Sequence, residues 1–148
     1  MSSAANFSYC QGRVHVRLAQ SARDRDEFVR IPWSIYQGDS VWVPPLLLDR
    51  KEFVDPRKHP FYRHGAAALF IASIDGRPVG RICVSDDPHY NAIHHTNTGC
   101  FGLFETIDDA EVTQALLECG QRWLRERGRT HLLGPVDYST NYSCGLLI

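Results

Sequence analysis

Glu105 follows the short apolar run Cys100-Phe101-Gly102-Leu103-Phe104, and two more acids, Asp108 and Asp109, come soon after it. A carboxylate at the C-terminal end of a central strand stands where open α/β sheets take their ligands, and it can serve there as a general base. The same residue also reads as a solvated acid beginning a turn, because one carboxylate is not a constellation. Asn141 and Tyr142 are a second polar candidate, equally readable as an Asx-type turn with an exposed ring. His89, His94 and His95 have ligand chemistry, but adjacent histidines point to different sides and no Cys or carboxylate spacing completes a metal set. They read as a polar loop, and no metal is expected. Cys100 and Cys119 read as small buried hydrophobes. No Ser-His-Asp or Cys-His grouping appears in recognisable local context, nor does a phosphate-binding glycine loop.

The elements that position Glu105 lie between Thr98 and Pro135. The apolar run before it has strand length, and Thr106-Ile107-Asp108-Asp109 breaks that run with an Asp suited to cap a helix. Val112, Ala115, Leu116, Cys119 and Trp123 then recur at helical period as one apolar stripe. Arg125 and Arg127 suit the last turn, and Gly128 suits the C′ position. His131 to Pro135 reads as a second strand. Two strands joined by such a helix should lie parallel, with a right-handed crossover.

Earlier in the chain, residues 1–12 are small and polar and read as a flexible N-terminus. Val14, Val16 and Leu18 alternate with polar neighbours as a first strand. Ser21 can cap a helix running to about Ile31, where Pro32 should end or kink it. Trp33 to Leu48 is rich in aromatics and leucine and is expected to lie across the domain. A short helix is expected from Pro45 to Phe53. Ala66 to Ile74 and Pro78 to Val84 read as strands around Asp75-Gly76, a two-residue hairpin signal. Asp86 to Asn97 reads as a polar loop. The bare tripeptide Leu146-Leu147-Ile148 suggests either a missing final strand or a chain end tucked against its own core.

With 43% hydrophobic and 22% charged residues over 148 positions, the chain has the makeup of one globular domain, placed at residues 13–148. Sixteen basic against 17 acidic residues provide no field for nucleic acid, and no apolar stretch is long enough to span a membrane. Five scattered cysteines, odd in number, suit reduced thiols and a cytoplasmic protein better than disulfides.

The order of elements and the strand-helix-strand core resemble the GNAT superfamily of acyl-CoA-dependent N-acyltransferases. Phe28-Val29-Arg30-Ile31-Pro32-Trp33, Trp42-Val43-Pro44-Pro45-Leu46, His59-Pro60-Phe61-Tyr62, Gly76-Arg77-Pro78-Val79-Gly80-Arg81-Ile82 and Gly134-Pro135 resemble, more narrowly, a longer bacterial GNAT-like family. The chain looks like the N-terminal half of its members. The resemblance implies a mixed, mostly antiparallel α/β sheet flanked by helices, incomplete at its C-terminus. It implies acyl transfer from acetyl-CoA or another acyl-CoA to a small-molecule amine, with Glu105 as catalytic base. It places cofactor contacts at Phe104, Thr106 and Asn141, and leaves open a homodimer or a C-terminal half supplied by a longer chain. In the superfamily, glycine amides and a basic residue before the helix hold the acyl-CoA pyrophosphate. Glu105 to Asp109 contains no glycine and no arginine, so this loop is not expected to bind pyrophosphate in that manner. A degenerate, non-catalytic binding or dimerisation module is the alternative.

Overall fold

Val14 and Val16, Ala68, Phe70 and Ala72, and Ile82 and Val84 recur at every second position of their strands, and that period lays one apolar face against one helix. The computed structural model describes residues 8–145. Six strands form one sheet in chain order: β1 (Ser8–Gln11), β2 (Val14–Leu18), β3 (Ala66–Ile74), β4 (Arg77–Asp86), β5 (Thr98–Thr106) and β6 (His131–Leu133). Neighbours run antiparallel except β5 and β6, which are parallel and joined through helix α4 (Ala110–Arg125). The expected mixed sheet with a parallel core is therefore the architecture found. Asp75 and Gly76, at φ 49° and 74°, make the tight β3–β4 turn.

Helix α4 covers one face, with Val112, Ala115, Leu116, Cys119 and Trp123 all buried against the sheet. Asp109 caps it, accepting from the Glu111 and Val112 amides. The other face carries α1 (Ala22–Ile35), α2 (Leu47–Phe53) and a 3₁₀ turn at Pro60–Arg63, over a second cluster that contains Phe28, Ile31, Ile71, Cys83 and Tyr138.

Four readings change. Ser8–Gln11, placed in a flexible N-terminus, pair as edge strand β1. Helix α1 continues through Pro32 to Ile35, because Ser21 and Asp24 form a capping box and the apolar side of the helix is buried. Trp33 to Leu48 lies only partly across the domain: Trp33, Ile35 and Leu47 pack against the second cluster, while Val41, Val43, Leu46 and Leu48 face solvent. Asp86 to Asn97 is not simply a loop. Asp87 caps a third helix, α3 (Pro88–His94), with Pro88 in its first turn, and the Asn91 side chain bonds both the amide and carbonyl of Thr98. The Leu146–Ile148 reading lies outside the described residues.

Trp123 is only 6% exposed, and the Arg127 guanidinium lies 3.5 Å from its ring centroid. Trp123→Ala should cost about 3–5 kcal/mol. Denaturant melts measure this, and a loss below about 1 kcal/mol would mean that α4 draws little stability from this contact.

Candidate functional site

The parallel strands part soon after they meet, since β5 and β6 pair only from Thr98 to Cys100. Beyond that point β5 bulges: Arg81 faces Glu105 and Cys83 faces Gly102, leaving Leu103 and Phe104 opposite Ile82. Leu103 takes the left-handed conformation at φ 44°. The chain after β6 then rejoins β5, still running in the same direction. The Val136 amide donates to the Phe101 carbonyl at 2.6 Å, and the Leu103 amide donates to Asp137 Oδ1 at 2.8 Å. A Cβ on Gly102 would lie 2.6 Å from the Val136 carbonyl carbon, and one on Gly134 would lie 2.5 Å from Phe101 Cδ1. Main chain meets main chain here, and only glycine allows it.

Glu105 is neither a bare base nor a solvated turn residue. Arg81 Nε donates to its Oε2 at 2.9 Å, and Arg81 Nη2 lies 2.7 Å from the same oxygen. Arg81 is buried, its guanidinium 5.0 Å from the Phe28 ring centroid, and its Nη1 donates to the carbonyls of Phe28 at 3.0 Å and Val29 at 3.4 Å. Proline at position 32 has no amide to offer Phe28, so that carbonyl is open to Arg81. Burial pushes the Glu105 carboxyl above its ordinary value against the pull of Arg81, and burial likewise raises Asp137. The Glu105 charge also reaches Tyr36, whose phenol burial already raises. Arg81, Glu105 and Asp137 thus gather beside the C-terminal ends of β5 and β6, and the charge of Arg50 reaches both carboxyls.

Tyr138 closes this layer at φ 58°, its hydroxyl donating to the Phe53 carbonyl at 3.0 Å and 3.1 Å from the Tyr62 hydroxyl. Phe53 and Phe61 stack on it, and burial pushes the Tyr62 phenol up to about 12.

The N-terminus of α4 has the opposite character. Asp109 occupies its free amides, Asp108 and Glu111 stand beside it, and Arg13 from the β1–β2 turn pairs with Asp109 and Glu111. A diphosphate there would meet acids and amides already bonded, so this helix end does not fit that group.

The candidates are not brought together. Alternation sends Glu105 to the α1 face but Phe104 and Thr106 to the α4 face, where Phe104 packs on the core and Thr106 meets Thr113 at 3.3 Å. Asn141 is exposed in a turn, its amide donating to Ser139 Oγ at 3.3 Å. Tyr142 packs edge-on against Phe53. His64 stacks on His89 and His94 tilts on Tyr90, and no set of three His, Cys, Asp or Glu converges on a metal position among the described residues. Burial raises both thiols, Cys119 to about 12 and Cys100 in a half-buried strand position. Arg81 and Asp137 went unmarked in the sequence. An arginine inside the apolar run of β4, and an acid just past Gly134-Pro135, were the available signals.

No family model matches the chain. It is 35% identical over 143 residues to the bacterial ceramide synthase of Caulobacter vibrioides (strain NA1000 / CB15N), covering 96% of the chain and 37% of that protein. It is 33% identical over 133 residues to protein YghO of Escherichia coli (strain K12), covering 90% and 34%. The chain therefore spans about a third of the length of these curated relatives. Among solved structures, a tandem GNAT protein from the clavulanic acid biosynthesis pathway superposes with TM-score 0.59 at 18% identity, over 80% of this chain and 35% of that one. Several solved acetyltransferases share the fold.

The buried pair makes a stability prediction. A carboxyl held high in the fold stabilises it while protonated, and that contribution fades as pH rises from the ordinary value of about 4.3 through the raised one. Arg81→Leu removes the opposing charge, so it should cost about 3–5 kcal/mol near neutral pH and distinctly less near about pH 5. Denaturant melts at the two pH values check this. Equal losses at both would show that Glu105 finds water once Arg81 is gone.

Proposed function

We propose, from the GNAT-like fold that this chain carries, that it forms part of an acyl-CoA-dependent N-acyltransferase whose acceptor is a long-chain amine. The observation that carries this reading is the meeting of Arg81, Glu105 and Asp137 beside the C-terminal ends of β5 and β6, the edge at which open α/β sheets take ligands. The likeness to a bacterial ceramide synthase supports the acceptor class, since a ceramide is the amide of a long-chain amino alcohol. Glu105 is the proton acceptor in this reading. Burial moves its carboxyl toward the range where a general base works near neutral pH, and Arg81 fixes its orientation. Asp137 is occupied with the Leu103 amide and serves the sheet. The α4 N-terminus has no part in holding the donor's diphosphate.

That closed helix end favours a second reading, a non-catalytic module that binds or pairs within a longer protein. Mass spectrometry of the full chain incubated with a long-chain acyl-CoA and sphinganine separates the two. Amide formation that Glu105→Gln lowers by about 10²–10⁴-fold in kcat with KM nearly unchanged supports the enzyme. No amide and no acyl-CoA binding supports the module.

Calorimetry with acetyl-CoA addresses the helix end itself. Asp108→Gly with Asp109→Asn should raise affinity by about tenfold if acid repulsion is what closes it. Tight binding by the unmodified chain that is lost in this variant would place the diphosphate there after all.

A further inference from the structure

Arg50 lies in helix α2, its guanidinium 5.2 Å from the Phe53 ring centroid. Phe53 in turn stacks on Tyr138 at 4.8 Å, which sets α2 against the residue that follows Asp137. The other cations of residues 50–58 each hold a carboxylate: Lys51 pairs with Asp26, Arg57 with Asp55 and Lys58 with Glu52. Arg50 holds none. Its Nε is buried without a hydrogen-bond partner, and its guanidinium makes no ion pair among the described residues. A half-buried cation with unmet donors is complementary to a negatively charged oxygen.

The two acids of the site that its charge reaches are already engaged. Arg81 holds Glu105, and the Leu103 amide holds Asp137. The amide at the β5 bulge is thereby spent, and Asp109 occupies those at the start of α4. Arg50 is left as a donor without a partner in the field of Glu105. Glu105 itself is open to a ligand, its side chain being 22% exposed. A permanently charged ligand group suits this position poorly, because it would stand close to the Glu105 carboxylate and to Asp49, the exposed neighbour of Arg50. A charge that appears only as Glu105 loses its own meets no such penalty.

Acyl transfer produces such a charge. As the amine nitrogen bonds the thioester carbonyl carbon, its proton passes to Glu105 and the carbonyl π pair moves onto oxygen. Collapse returns that pair and breaks the C–S bond, and the departing thiolate takes the proton from Glu105. We propose that Arg50 is a catalytic residue of this reaction, its guanidinium donating to the carbonyl oxygen while the negative charge resides there. The inference rests on the N-acyltransferase reading. Negative charge leaves Glu105 as it arrives on the oxygen, and a cation fixed beside both positions stabilises the second without rearrangement.

Rates of amide formation by the full chain, with a long-chain acyl-CoA and sphinganine, test this. Arg50→Gln should lower kcat by about 10²–10³-fold with KM nearly unchanged. Arg50→Lys keeps the charge without the fork and should recover part of that loss. Dilute guanidinium ion should restore activity to Arg50→Ala in proportion to its concentration, which a merely structural side chain would not allow. No hydrogen bond of the fold is lost in these variants, so their thermal melts should match the parent's. A variant that melts far below the parent would assign Arg50 to the fold and overturn the proposal. Unchanged kcat in Arg50→Gln, or no response of Arg50→Ala to guanidinium, would also overturn it while the enzyme reading stands. So would a rise in KM for acyl-CoA alone, which would assign Arg50 to the donor's phosphates. No amide from the parent chain removes the enzyme reading and this role with it.

Discussion

One guanidinium joins three elements of the α1 face. Arg81 belongs to β4, its partner Glu105 to β5, and the carbonyls it bonds to α1. A buried cation of this kind is stable only with its charge paired and its donors engaged. Two Arg81 nitrogens bond Glu105, and a third engages the Phe28 and Val29 carbonyls. The helical proline is part of the same arrangement. Pro32 interrupts the ladder of α1 at Phe28, and the interruption is filled from the sheet rather than by water. The helix is thereby fixed in position over β4 and β5 by a polar contact, where apolar packing alone would allow it to slide.

The two sides of the sheet consequently differ in kind. The α4 side is aliphatic and aromatic, closed at the helix start by acids and Arg13. The α1 side mixes aromatic rings with buried charge, and burial raises its Glu105 and Asp137 carboxyls. Anion chemistry is disfavoured on the first and proton chemistry is favoured on the second.

What could be read from residues alone followed from periodicity and local turn chemistry. The α4 stripe, its Asp cap, the Asp75-Gly76 turn and the parallel crossover are each decided within a few neighbouring residues, and each is present. The α3 helix was missed because its cap and the Asn91 bridge to Thr98 are hidden in a polar composition that also suits a loop. Trp33 to Leu48 lies only partly across the domain, because apolar composition says what would prefer burial, not whether a partner surface exists. The site was legible only at Glu105. Strand alternation parts it from Phe104 and Thr106, while Arg81 and Asp137 join it through a sheet register and a rejoining segment that no local window contains.

The seam between β5 and the segment after β6 joins the Val136 amide to the Phe101 carbonyl and the Leu103 amide to the Asp137 carboxylate, with Gly102 and Gly134 as the two places where no side chain fits. A contact of that kind is indifferent to the chemistry of the residues around it. Substitution on the α1 face can therefore change its charge and size without disturbing the close approach at Gly102 and Gly134. The fold in this region separates inheritance of shape from inheritance of chemistry: Gly102, Gly134 and Asp137 carry the first, and the side chains around them are available to the second.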